Sequence, residues 1–123
     1  MMDSGFEPEF TGQHFAWELD QLNDQLDESI GALRIAGSKK AETERDYRVA
    51  LAKKIIALRA LGTPVTIVND LARGDEEVAT LRLKRDVAES EYWTSQEVIN
   101  VGKLRVRTVN DQIAREWGRP SNM

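Results

Sequence analysis

The chain has 123 residues, of which 31% are charged and 7% aromatic, with a formal net charge of −4 and no cysteine. One domain is the natural count for this length, and the absence of cysteine excludes disulfides, thiolate metal sites and a cysteine nucleophile. No apolar stretch approaches the roughly 18 residues of a membrane span, and the acidic balance is not the footprint of a protein built around nucleic acid.

Residues 1–10 (MMDSGFEPEF) contain Gly5 and Pro8 and show no apolar period. They are expected to be a flexible tail, and they lack the basic-then-apolar pattern of a signal peptide. A soluble, cytoplasmic protein is therefore expected. Phe15, Leu19, Leu22, Leu26, Ile30 and Leu33 then recur at steps of three and four, the spacing of one helix face. The first helix is predicted over about 12–61. Gly37 and Ser38 offer a local stop and start, so a break at 37–38 is the alternative. Continuity is favoured because Leu33 to Tyr47 spans two full heptads. Lys39 and Lys40 would also oppose the dipole in the first turn of a new helix. Beyond Tyr47 the predicted core is Leu51, Ile55 and Leu58, a change of phase resembling a stutter.

Gly62 ends this helix. Thr63 is the expected N-cap and Pro64 the first helical position of a short helix over 64–73, presenting Val65, Val68 and Leu71. Gly74 stops it, and Asp75 caps the last helix, with Glu76 and Glu77 in its first turn. That helix is predicted over 75–117, before Gly118 and Pro120, and residues 119–123 form a second tail. Its stripe is Val78, Leu81, Ala88, Tyr92, Ile99, Val106, Val109 and Ile113.

These elements predict an all-α fold: one domain over 11–118, a long antiparallel, coiled-coil-like helical hairpin with a short helix at its tip, associating into a bundle. Placing Leu61 opposite Asp75 sets Leu58 against Val78, Ile55 against Leu81 and Leu51 against the stem of Arg85. Further along, Ile30 meets Val106, Leu26 meets Val109, Leu22 meets Ile113, and Trp17 and Trp117 come together at the open end.

A second stripe, Leu83, Val87, Val98, Val101 and Leu104, lies on the last helix. A weaker one, Val49, Ala52, Ile56 and Ala60, lies on the first. One two-helix seam cannot bury both. Ile56, Leu83, Val87, Val98, Val101 and Leu104 are therefore the candidate protein interface, with a homo-oligomer, most simply a two-fold dimer, and a further protein partner as expected occupants. The alternatives are a three-helix bundle formed by a break at Gly37, or cover by the short tip helix and long Lys or Arg stems.

Charge is distributed in blocks. Residues 1–37 hold eight acids and one base, and residues 38–62 hold seven bases and three acids. Lys53, Lys54, Arg59, Arg73, Arg82, Lys84 and Arg85 gather toward the tip. Of these, Lys53, Lys54, Arg59, Arg73, Arg82 and Arg85 are the candidate contacts to nucleic acid phosphates. The acids among them and the lack of stacking aromatics favour a solvated, salt-bridged tip.

No motif points to catalysis, a metal or a cofactor. His14 is the only histidine, too few for a zinc site or a serine triad. The carboxylates Asp24, Asp27, Glu28, Glu42 and Asp46 come without a Glu-x-x-His partner motif. Arg73-Gly74-Asp75 spells an integrin tripeptide, but the end of one helix and the start of the next already account for Gly74 and Asp75. Glu116-Trp117-Gly118 departs from the Trp-x-Gly of type VII secreted hairpins in spacing and in position.

The segments Tyr47-Arg48-Val49-Ala50-Leu51-Ala52-Lys53-Lys54-Ile55, Leu58-Arg59, Gly62-Thr63-Pro64-Val65-Thr66, Asp70-Leu71-Ala72-Arg73-Gly74 and Glu116-Trp117 together resemble a group of small helical proteins encoded by phages and prophages of Gram-positive bacteria. These accompany replication and recombination genes. The resemblance covers about residues 44–118 and implies a helical, cytoplasmic, non-enzymatic accessory protein. It carries no functional residue onto this chain, and the acidic first helix lies outside it.

Overall fold

A computed structural model describes residues 12–118, so the two tails fall outside the described residues. It contains three helices, α1 (Gly12–Ala60), α2 (Val65–Gly74) and α3 (Glu76–Gly118). The long α1 and α3 pack on each other as a hairpin does, with the short α2 between them in sequence. α1 passes through Gly37 and Ser38 without interruption.

The packing follows strict heptads. On α1, Leu26, Leu33, Lys40, Tyr47 and Lys54 alternate with Leu22, Ser29, Ala36, Thr43 and Ala50, all buried or half-buried. On α3, Val78, Arg85, Tyr92, Ile99, Val106 and Ile113 alternate with Leu81, Ala88, Ser95, Gly102 and Val109, again all buried or half-buried. After Tyr47 the expected core residues Leu51, Ile55 and Leu58 are half-buried, and so are Ala50 and Lys54, which continue the heptad beside them.

The chain divides into two units, Ala32–Ser95 and the remainder on either side of it. In Ala32–Ser95, Lys54 Nζ lies 3.3 Å from Asp75, Arg85 lies 3.6 Å from Glu44, and Lys39 lies 3.8 Å from Glu91. The Arg85 guanidinium sits 4.6 Å from the Tyr47 ring centroid, and Lys40 Nζ sits 5.5 Å from that of Tyr92. Polar seam positions thus keep their charged heads on specific partners while their stems fill the seam. Thr43, buried in the same seam, donates its hydroxyl to the carbonyls of Lys39 (2.9 Å) and Lys40 (3.2 Å), so its burial leaves no donor unmatched.

This pairing corrects the expected register by one heptad. Asp75 faces Lys54, not Leu61, which is 83% exposed. In the other unit Leu26 meets Gly102, not Val109. The reason lies at the turn, where α2 intervenes. α1 runs on past Lys54, its Leu58 is half-buried, and α2 buries Val68 and Ala72. A slip of one heptad keeps every apolar position in phase, so the apolar pattern alone does not distinguish the two registers.

The turn is closed by backbone hydrogen bonds. Gly62, at φ 87°, donates to Arg59, and Thr63 donates to Leu58 at 3.1 Å, the bonds of a Schellman end. Arg59 adds a 2.9 Å bond to the Thr63 carbonyl. Pro64, not Thr63, is the N-cap residue, with ψ 141°, and α2 starts at Val65. The buried face of α2 is Val68 and Ala72, a step of four, and Val65 and Leu71 are exposed, contrary to the expected face. Asp75 ends α2, donating its N–H to Ala72. It also starts α3, its Oδ2 accepting from the Val78 N–H at 3.2 Å.

In the other unit, Phe15, Ile99 and Val109 are buried. Trp117 lies against Gly12, where an added Cβ would come 2.7 Å from Cζ2, and Trp17 stacks on His14 with centroids 6.4 Å apart. His14 also approaches Glu18 at 3.6 Å.

Candidate interaction surfaces

Once the seam closes, the second stripe of α3 is left outside it. Beyond Ser95, Val98, Val101 and Leu104 are 51%, 38% and 58% exposed. Val101 and Leu104 line a shallow groove with Leu22, Thr108, Glu18 and Arg105. Within Ala32–Ser95, Ile56, Leu83 and Val87 are also exposed. All six candidate interface residues therefore present apolar surface. They fall in two groups of three, one in each unit.

The structure adds a set that the sequence reading missed. Leu61, Val65, Ile67 and Leu71 are all exposed around the α1–α2 turn. The available signal was the step of four from Val68 to Ala72, which turns Leu71 away from the buried face.

The basic candidates separate in a similar way. Lys54 is held by Asp75, Arg85 by Asp86 (2.8 Å), Glu44 and the Tyr47 ring, and Arg59 by the Thr63 carbonyl. Lys53, Arg73 and Arg82 are exposed and make no ion pair among the described residues. The hydrogen bond from the Val78 N–H, with Lys54 adding to it, holds the Asp75 carboxyl below its ordinary value. The Arg48 hydrogen bond does the same for Glu44, against an opposing effect of burial.

In the unit outside Ala32–Ser95, α1 carries only acids, Glu18, Asp20, Asp24, Asp27 and Glu28, whereas α3 is mixed, with Lys103, Arg105, Arg107 and Arg115 beside Glu97, Asp111 and Glu116. None of these four cations makes an ion pair among the described residues.

Among the described residues no three His, Asp or Glu side chains gather where they could hold a metal ion, and no helix is long and apolar enough to cross a membrane. Compared with protein families, curated proteins and solved structures, the chain matches none.

Proposed function

We propose that this chain is a non-enzymatic accessory protein of the phage type that works by protein–protein contact. It self-associates through the exposed stripe of α3, most simply as a two-fold dimer, and offers a helix face to a further protein partner. The observation that supports this is the row Val98, Val101 and Leu104, left in water beside a closed seam. Fully burying an apolar side chain of this size is worth about 1.5–3 kcal/mol, and an exposed apolar row rimmed by charge is the usual mark of a contact surface. Sedimentation velocity over a concentration series tests it. The parent chain should sediment as an associating species, and Val98→Glu as a monomer of unchanged helicity. Identical sedimentation of the two would refute the reading.

A second reading is a nucleic-acid-binding accessory factor in replication or recombination. It rests on Lys53, Arg73 and Arg82 carrying no ion pair. Binding to a short duplex would have to weaken as salt rises, and to weaken further when these three are replaced by Ala. No binding at low salt would remove it.

A further inference from the structure

Val101 lies at the middle of a row on α3 that is chemically matched end to end. Three residues to either side stand Val98 and Leu104, and four residues to either side stand Glu97 and Arg105. Offsets of three and four return to the same helix face. The five side chains therefore form one patch, apolar in the middle, acidic at its N-terminal corner and basic at its C-terminal corner. All five are exposed, and neither Glu97 nor Arg105 makes an ion pair among the described residues.

Such a patch is complementary to itself after a half-turn. We infer that it is the contact between two copies of this chain, paired antiparallel along α3 about a two-fold axis at Val101. Val98 packs on the partner's Leu104, Val101 on the partner's Val101, and Glu97 pairs with the partner's Arg105, each contact occurring twice, as a two-fold interface requires. A parallel pairing would set acid on acid and base on base, so the charges fix the direction. Leu22 and Thr108, in the same groove as Val101 and Leu104, give the partner's helix a floor beyond α3 itself. The inference rests on the self-association proposed above and adds its axis, direction and contact pairs.

Sedimentation equilibrium of the full chain tests it by charge reversal. Arg105→Glu alone, or Glu97→Arg alone, creates two like-charge contacts and should raise the dimer dissociation constant about tenfold. The double variant Glu97→Arg with Arg105→Glu restores both pairs and should return to within about threefold of the parent. The chain has no cysteine of its own, so Val101→Cys should oxidise to a covalent dimer, and Lys103→Cys, on another face of the helix, should not. A dimer indifferent to the single reversals, with Val101→Cys failing to cross-link, would overturn this geometry and leave self-association standing. A monomer at every concentration would overturn both.

Discussion

Gly102 of α3 lies against Leu26 of α1 so closely that a β-carbon on Gly102 would stand 2.6 Å from Leu26 Cδ2 and 3.4 Å from its Cγ. Glycine inside a helix costs about 1 kcal/mol relative to alanine, and here its missing side chain lets the two helices approach. Gly102→Ala should therefore change stability by less than about 1 kcal/mol, the helical gain offsetting displacement of Leu26. Gly102→Leu should destabilise by about 1–3 kcal/mol through overpacking. In a Leu26→Ala background, Gly102→Ala should become stabilising by about 1 kcal/mol. Urea unfolding gives all of these values, and an equal effect of Gly102→Ala in both backgrounds would show that the contact does not matter.

The same contact fixes the register. The chain with Leu26→Cys and Gly102→Cys should close an intramolecular disulfide on mild oxidation, because a β-carbon on Gly102 lies 3.4 Å from Leu26 Cγ, the position that the sulfur of Leu26→Cys would take. Leu26→Cys with Val109→Cys should not. Cross-linking of the second pair alone would restore the register set by Leu61 opposite Asp75.

Two other glycines of α1 should respond differently. A β-carbon at Gly31 meets nothing within 4 Å, and one at Gly37 meets Tyr92 Cε1 at 3.4 Å, an ordinary contact. Gly31→Ala and Gly37→Ala should each stabilise by up to about 1 kcal/mol. A loss of melting temperature for Gly37→Ala would mean that α1 needs a glycine there.

The helices were legible in the sequence because their apolar residues keep to heptads for many turns, and Gly62 and Asp75 carry the chemistry of an end and a start. The register was not, because a shift of one heptad again sets apolar against apolar. What separates the two registers is steric and polar detail, with Gly102 under Leu26, Gly37 beside Tyr92 and Arg85 over Tyr47. The seam's polar members, Lys40, Thr43 and Lys54, were hidden for a related reason, since stems and hydroxyls enter a core only when a partner receives the polar end. The interface stripe was legible as an apolar period left over from the seam. The matched corners Glu97 and Arg105 were equally visible as offsets of four from Val101, but acquire meaning only once both are seen exposed and unpaired.

Asp75 should make stability depend on acidity. Its folded pKa is lowered by the Val78 N–H and Lys54, so its contribution is present above the ordinary value of 3.8 and is lost as pH falls through the lowered folded value. Asp75→Ala should melt below the parent at neutral pH, and the gap should narrow on acidification below about pH 4. A gap that stays constant down to the most acidic folded sample would show that the ionised carboxylate contributes nothing.

The most direct test of self-association through α3 is absolute mass by light scattering after gel filtration, over a wide range of loading concentrations. The account predicts a mass approaching twice 13.9 kDa as concentration rises, with Val101→Glu remaining at 13.9 kDa throughout. A parent chain that stays at 13.9 kDa at every concentration would contradict it.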